Sequence, residues 1–153
     1  MRLKTKLRSA ITGGAALSLA LGLSSCSRDY TVAYVYSISA ASATVSAYAV
    51  DYQTGILNQI AGSPFAAIVS DPIKIVAHPN NQAIYVIGGA NGSDGNSVEE
   101  FQVGTDGKLY AAHTYNLTGT YPTGAAVDTT GTFLYVTFNY QSGFTPALSL
   151  IHI

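Results

Sequence analysis

The chain has one cysteine, one methionine and no tryptophan among its 153 residues, and only one residue in ten is charged. A single cysteine, Cys26, excludes an intrachain disulfide and any zinc site built from several thiolates. The three histidines are scattered at positions 78, 113 and 152, and no Gly-x-Ser-x-Gly elbow or phosphate-cradling glycine loop is present. No metal or cofactor is therefore expected. Basic residues are scarce beyond the N-terminus: Arg28, Lys74 and Lys108 face eight acids, a formal balance of −5, which excludes nucleic acid as a natural partner.

One long apolar run exists. It spans Ala10 to Leu23, follows Arg2, Lys4, Lys6 and Arg8, and is too short for a comfortable membrane span, so residues 1–26 read as a secretory signal. Leu23-Ser-Ser-Cys26 resembles the lipobox of bacterial lipoproteins, in which the cysteine becomes the lipidated first residue. That resemblance implies a membrane partner through a lipid anchor at Cys26. It also implies an address in the bacterial cell envelope, at the outer membrane because Ser27 rather than aspartate follows.

What remains is rich in tyrosine and β-branched residues interleaved with glycine and serine, a β composition. It also repeats. Ile75-Val-Ala-His-Pro-Asn-Asn-Gln-Ala-Ile-Tyr-Val86 aligns without gaps on Ala125-Ala-Val-Asp-Thr-Thr-Gly-Thr-Phe-Leu-Tyr-Val136 at an offset of 50, and Tyr34-Val35 precedes Tyr85 by 51. Val45 to Leu57 matches Val98 to Leu109, with Tyr48 and Val50 on Phe101 and Val103. Each unit reads as four short strands: first at 73–78 and 123–128, second at 31–36, 83–88 and 133–138, third at 45–50 and 98–103, fourth at 56–61 and 108–115. A period near 50 with four antiparallel strands is what a β-propeller blade requires, whereas a β-sandwich needs no such repeat.

Asp51-Tyr-Gln-Thr-Gly-Ile-Leu57, Ala61-Gly-Ser-Pro-Phe65, Tyr121-Pro-Thr-Gly124 and Phe133-Leu-Tyr-Val-Thr137 resemble the lactonase-type seven-bladed propellers, which include the YVTN repeat proteins and the 6-phosphogluconolactonase-like group. The resemblance implies an all-β propeller of four-stranded antiparallel blades, and hydrolysis of a sugar lactone as an expected activity. A non-catalytic propeller for binding or surface scaffolding is the other expectation, because fold alone does not fix function. Seven blades of this period need roughly 350 residues. The 124 positions from Tyr30 onward hold about two and a half blades, so residues 27–148 read as a partial propeller whose end faces stand open. Residues 149–153 leave the family pattern and read as a truncated or artefactual tail, such as adapter read-through. The other reading is that Ala147 onward begins a third strand.

Antiparallel connectivity sorts the loops onto two rims. Pro79–Gln82, Thr129–Gly131, Tyr52–Gly55 and Thr105–Gly107 are tight turns on one rim, while Gly62–Pro72, Gly88–Asn96 and Gly119–Pro122 are longer and share the other. Binding groups favour long loops on a rigid scaffold, so the second rim is the candidate functional face. Its candidate residues are Asp71, Lys74, Asn91, Asp94, Asn96, Glu99 and Tyr121, facing a small carbohydrate-like ligand. Asn91 to Asn96 with Glu99 and Glu100 has oxygens suited to calcium but lacks the EF-hand spacing, and reads equally as a polar loop. His78 ends a first strand before a tight turn, and its repeat partner Asp128 argues for a backbone-capping role over a catalytic one. His113 shows no acid or serine at a recognisable spacing.

Overall fold

The computed structural model describes residues 30–89 and 96–153, so Cys26, Asn91 and Asp94 lie outside the described residues. Within them the chain forms eleven β-strands. They assemble into three antiparallel sheets in chain order. The first sheet comprises β1 (Thr31–Ser39), β2 (Thr44–Asp51), β3 (Leu57–Gln59) and β4 (Phe65–Ala66). The second runs β5 (Lys74–Ala77), β6 (Ala83–Ile87), β7 (Ser97–Val103) and β8 (Leu109–Asn116), each paired with the next. The third orders β9 (Thr120–Val127), β10 (Phe133–Tyr140) and β11 (Pro146–His152) in the same way.

The expected strands form with two differences of substance. The fourth strand of the first sheet is broken into β3 and β4, both paired to β2. The break falls at Ala61-Gly-Ser-Pro, where Ser63 Oγ accepts the Ala47 N–H at 2.9 Å and Pro64 has no N–H to give the ladder. The second difference is β11, the third-strand alternative at the chain's end. It lies antiparallel on β10 with Tyr135 opposite Leu150, and Tyr85 stands opposite Glu100 in the second sheet, so the offset of 50 holds across the hydrogen-bond register.

The offset fixes which side chains share a face. On one face of the second sheet Val76, Tyr85, Glu100 and His113 form a row across the four strands. The matching row of the third sheet is Ala126, Tyr135 and Leu150. In the first sheet Val35 faces Tyr48, as Val86 faces Glu99, so Tyr48 takes the place of Glu99 rather than of Phe101. The shift from the sequence alignment is two residues, which leaves every side chain on the same face.

Two apolar layers hold the stack. Val45, Val69, Ile84, Val86, Phe101 and Leu109 fill the space between the first and second sheets, with Tyr36 and Ile38 against them. Ala83, Tyr85, Ile87, Val98, Leu134 and Val136 fill the space between the second and third. β6 serves both layers, so all five of its residues are buried. Each fully buried Val, Ile or Leu contributes on the order of 1.5–3 kcal/mol. The outer faces of the first and third sheets meet no such layer, and Val35, Leu57, Tyr135, Leu148 and Leu150 stand exposed there.

Polar contacts at the short-turn rim add specificity to the stack. Tyr34 and Tyr36 donate their hydroxyls to the carbonyls of Thr105 and Gly107 across the first interface, at 2.7 and 2.9 Å. Gly107 is required there twice over: its φ is +76°, and a Cβ would lie 2.5 Å from the Tyr34 ring. Across the second interface His78 Nε2 donates to the Gly131 carbonyl at 3.0 Å, leaving Nδ1 to accept the Asn80 N–H at 3.2 Å. Both ring nitrogens are thereby engaged in structure, as the capping reading of His78 expects.

Candidate functional site on the long-loop rim

The inner strands β5 and β9 open at the long-loop rim, and their first residues carry the candidates Asp71, Lys74 and Tyr121. Asp71 adopts a left-handed φ of +45°, which turns the chain into β5, and Lys74 begins that strand exposed, opposite Ile87. Tyr121 lies at the start of β9 and stacks on Phe144 of the β10–β11 turn, with centroids 5.8 Å apart and rings 8° from parallel. No hydrogen bond or ion pair among the described residues joins Asp71, Lys74 and Tyr121 to one another.

Glu99 behaves differently. It points from β7 into the space between the first and second sheets, is buried, and its Oε2 accepts the Ile68 N–H at 2.6 Å. Ile68 belongs to the connection from the first sheet to the second, so Glu99 holds that connection down by its backbone. Its other oxygen, Oε1, has no partner among the described residues. Burial pushes the Glu99 carboxyl above the usual carboxylate range, and the N–H groups of Ile68 and Val69 oppose the shift only in part.

Asn96 ties the same rim to the third sheet. Buried at the entry to β7, it donates from Nδ2 to the Thr120 carbonyl while its backbone carbonyl accepts the Leu117 N–H at 2.7 Å. Gly88 and Gly89 pack beside it: the Gly89 N–H donates to the Ser70 carbonyl at 3.0 Å, and a Cβ on Gly88 would sit 2.5 Å from Val69 Cβ. The connections around 68–71, 88–89 and 117–120 thus form one stitched surface spanning all three sheets. Two of the candidates, Glu99 and Asn96, are its fasteners. Asp71, Lys74 and Tyr121 are the side chains it presents.

Two features escaped the sequence. His113 has an acid partner after all: its Nδ1 lies 3.3 Å from Glu100 Oε2, which also accepts the Tyr115 hydroxyl at 3.0 Å. The β7–β8 register places Glu100 opposite His113, a spacing readable only once the hairpin turn at Asp106-Gly107 and its bulge are known. Burial and the adjacent Glu100 raise the Tyr85 and Tyr115 hydroxyls to about 12. The second feature is an open cleft on the short-turn rim, lined by Tyr34, His78, Asn81, Gln82 and Gln102 among others. Concavity therefore favours the rim opposite the long loops, while buried polar stitching favours the long-loop rim. No group of three or more potential metal ligands occurs among the described residues.

Two four-stranded antiparallel sheets and a three-stranded one, repeating every 50 residues with one apolar layer between each neighbouring pair, define a β-propeller segment. The family model for the lactonase seven-bladed β-propeller matches residues 31–150, and the chain belongs to that family. Solved structures share the fold. A candidate 6-phosphogluconolactonase from Bacteroides uniformis superposes with a TM-score of 0.64 at 15% identity, covering 83% of this chain and 35% of that one. A second, from Bacteroides fragilis, gives 0.55 at 22% identity over 78% and 36%. A protein from Lactobacillus plantarum gives 0.59 at 21% over 78% and 37%. The chain spans about a third of the length of each. No curated protein matches it.

Proposed function

We propose that this chain is the propeller segment of a lipid-anchored envelope protein that, with a whole ring, opens a sugar lactone. The family match over residues 31–150 carries the reading. In such a hydrolysis water attacks the lactone carbonyl, the ring acyl C–O bond breaks, and the released alkoxide takes a proton to give a hydroxy acid. In this reading Asp71 accepts the proton from water, and Lys74 meets an anionic ligand or the carboxylate product. Glu99 serves by holding the connection that carries Asp71. The anchor at Cys26 and the outer-membrane address belong to the same proposal and rest on Leu23-Ser-Ser-Cys26.

One observation favours a non-catalytic binding propeller instead. The carboxyl with a raised proton affinity, Glu99, is covered by backbone rather than presented to a ligand. A chain carrying the complete ring, assayed on a panel of aldonolactones, separates the two. Hydrolysis that falls at least tenfold in Asp71→Asn supports the enzyme, and no turnover above background across the panel leaves the binding reading. For the anchor, Cys26→Ser is expected to move the protein from the membrane fraction to the soluble one; continued membrane retention contradicts it.

A further inference from the structure

The short-turn rim is the side of the molecule on which the chain enters the fold. Tyr30 precedes β1, and β1 runs nine residues from Thr31 to Ser39 on the opposite rim, about 27 Å away. Only three residues lie between Cys26 and Tyr30, a reach of about 14 Å at full extension. A lipid carried on Cys26 therefore holds the short-turn rim close to the bilayer, and the long-loop rim lies beyond that reach.

The side chains at this corner of the rim match such a place. The Tyr30 and Tyr52 rings meet with centroids 5.4 Å apart, and the Tyr52 N–H donates to the Tyr30 carbonyl at 3.0 Å, so the pair is fixed to the point of entry. Tyr52 is 59% exposed and Ile56, at the close of the same turn, 58%. That exposure does not come from a missing neighbour. The matching turn of the second sheet, closed by the Gly104 N–H on the Lys108 carbonyl as this one is by Asp51 on Ile56, has a sheet on each face and still exposes Thr105 and Asp106. Charges nearby are engaged within the rim: Asp51 accepts the Gln53 and Thr54 N–H groups at 3.0 and 2.9 Å, and Asp106 pairs with Lys108 at 2.6 Å. Farther along, the exposed side chains of the tight turns are neutral amides and hydroxyls, Asn80, Asn81, Gln82, Thr129 and Thr130. Tyrosine, with an apolar body and a polar tip, is enriched where membrane meets water.

We propose that the corner formed by Tyr30, Tyr52 and Ile56 is a lipid-docking surface, resting at the headgroup level of the membrane that holds the anchor, with the short-turn rim down and the long-loop rim facing away. The inference rests on the anchor at Cys26 and is independent of lactonase activity. It gives the protein a second membrane contact beside the lipid chains. It also leaves Asp71, Lys74 and Tyr121 open to ligands that arrive from the aqueous side.

Because the chain has no tryptophan, a single introduced one reports its own surroundings. The lipidated full chain is placed on vesicles of phosphatidylethanolamine and phosphatidylglycerol that carry spin-labelled headgroups. Thr105→Trp, on the short-turn rim, is expected to be quenched at least threefold more than Tyr121→Trp on the long-loop rim. Adding Tyr30→Ser and Tyr52→Ser to the Thr105→Trp chain is expected to cut its quenching at least twofold, with the circular dichroism unchanged and the chain still sedimenting with the vesicles. Equal quenching at the two rims, or stronger quenching of Tyr121→Trp, in a chain that sediments with vesicles overturns the orientation and leaves the anchor standing. Quenching of Thr105→Trp that the two serines do not change overturns the lipid contact of the tyrosines. A wild-type chain that stays in the supernatant overturns the anchor, and the docking surface with it.

Discussion

The second and third sheets are two editions of one unit, and they differ mainly in company. β6 and β10 hold Tyr85-Val86 and Tyr135-Val136 at the same repeat position, yet β6 is buried throughout while β10 alternates between buried and exposed. Tyr85 is 2% exposed and Tyr135 is 38% exposed. Residue type and strand register are shared; what differs is a neighbouring sheet on the second face. Burial in a stacked repeat is therefore a property of position in the stack, and the energetic weight of each residue follows it.

That contrast can be broken most visibly at the paired tyrosines. Tyr85→Ala is expected to cost about 3–5 kcal/mol, as for other buried aromatics, whereas Tyr135→Ala in the isolated chain should cost under about 1 kcal/mol. Chemical denaturation of both variants at a concentration below any self-association checks the difference, and equal losses would show that the two positions are packed alike.

Next in size is the first interface. Gly107→Ala forces a left-handed φ on alanine and drives a Cβ into the Tyr34 ring, so about 1–3 kcal/mol should be lost. Gly55, at the corresponding turn of the first sheet, has nothing within 4 Å of a built Cβ and should lose less on the same change. A smaller effect separates His78 from Asp128, which share a repeat position. His78→Asp keeps the cap on its own turn and removes the bond to the Gly131 carbonyl, at a cost of about 1 kcal/mol. Recovery of that loss by a His78 variant unable to reach Gly131 would contradict the interblade role.

Proton linkage gives the finest distinction. Asp128 accepts the N–H groups of Thr132 and Phe133 at 2.7 and 2.8 Å, and with Thr130 these lower its carboxyl to about 2. Its stabilisation is therefore present above the unfolded value near 3.8 and lost as pH falls toward 2. Glu99 runs the other way. Its raised carboxyl contributes stability below the unfolded value of 4.5 that is lost as pH rises through the folded one. Glu99→Gln should remove that decline while retaining an acceptor for Ile68, and urea melts from pH 4 to 8 would show the slope flatten; an unchanged slope would mean that Glu99 does not titrate in the fold.

Much of this architecture was legible before any coordinates. The Tyr-Val repeat and the alternating strands mark sheet boundaries because both depend on residues close in sequence. The division into a short-turn rim and a long-loop rim follows from strand order alone. The broken strand β3–β4 was not legible, since it depends on Ser63 reaching Ala47 sixteen residues back. Glu99 read as a ligand-facing candidate of the long-loop rim because the backbone that covers it arrives from the preceding repeat unit. His113 read as solitary because its partner lies across a bulged hairpin. In each case the deciding contact crosses from one strand to another at a spacing that local pattern does not encode.

The account's central claim is that equivalent strands differ only in the neighbours that cover them. Amide hydrogen exchange resolved by peptide tests it most directly at β7 and β11, which share the offset of 50 while β7 is paired on both edges and β11 on one. Uniformly slow exchange over Ser97–Val103 with fast exchange at alternate amides of Pro146–His152 is the expected result. Equal protection of the two strands, or faster exchange in β7, would contradict it.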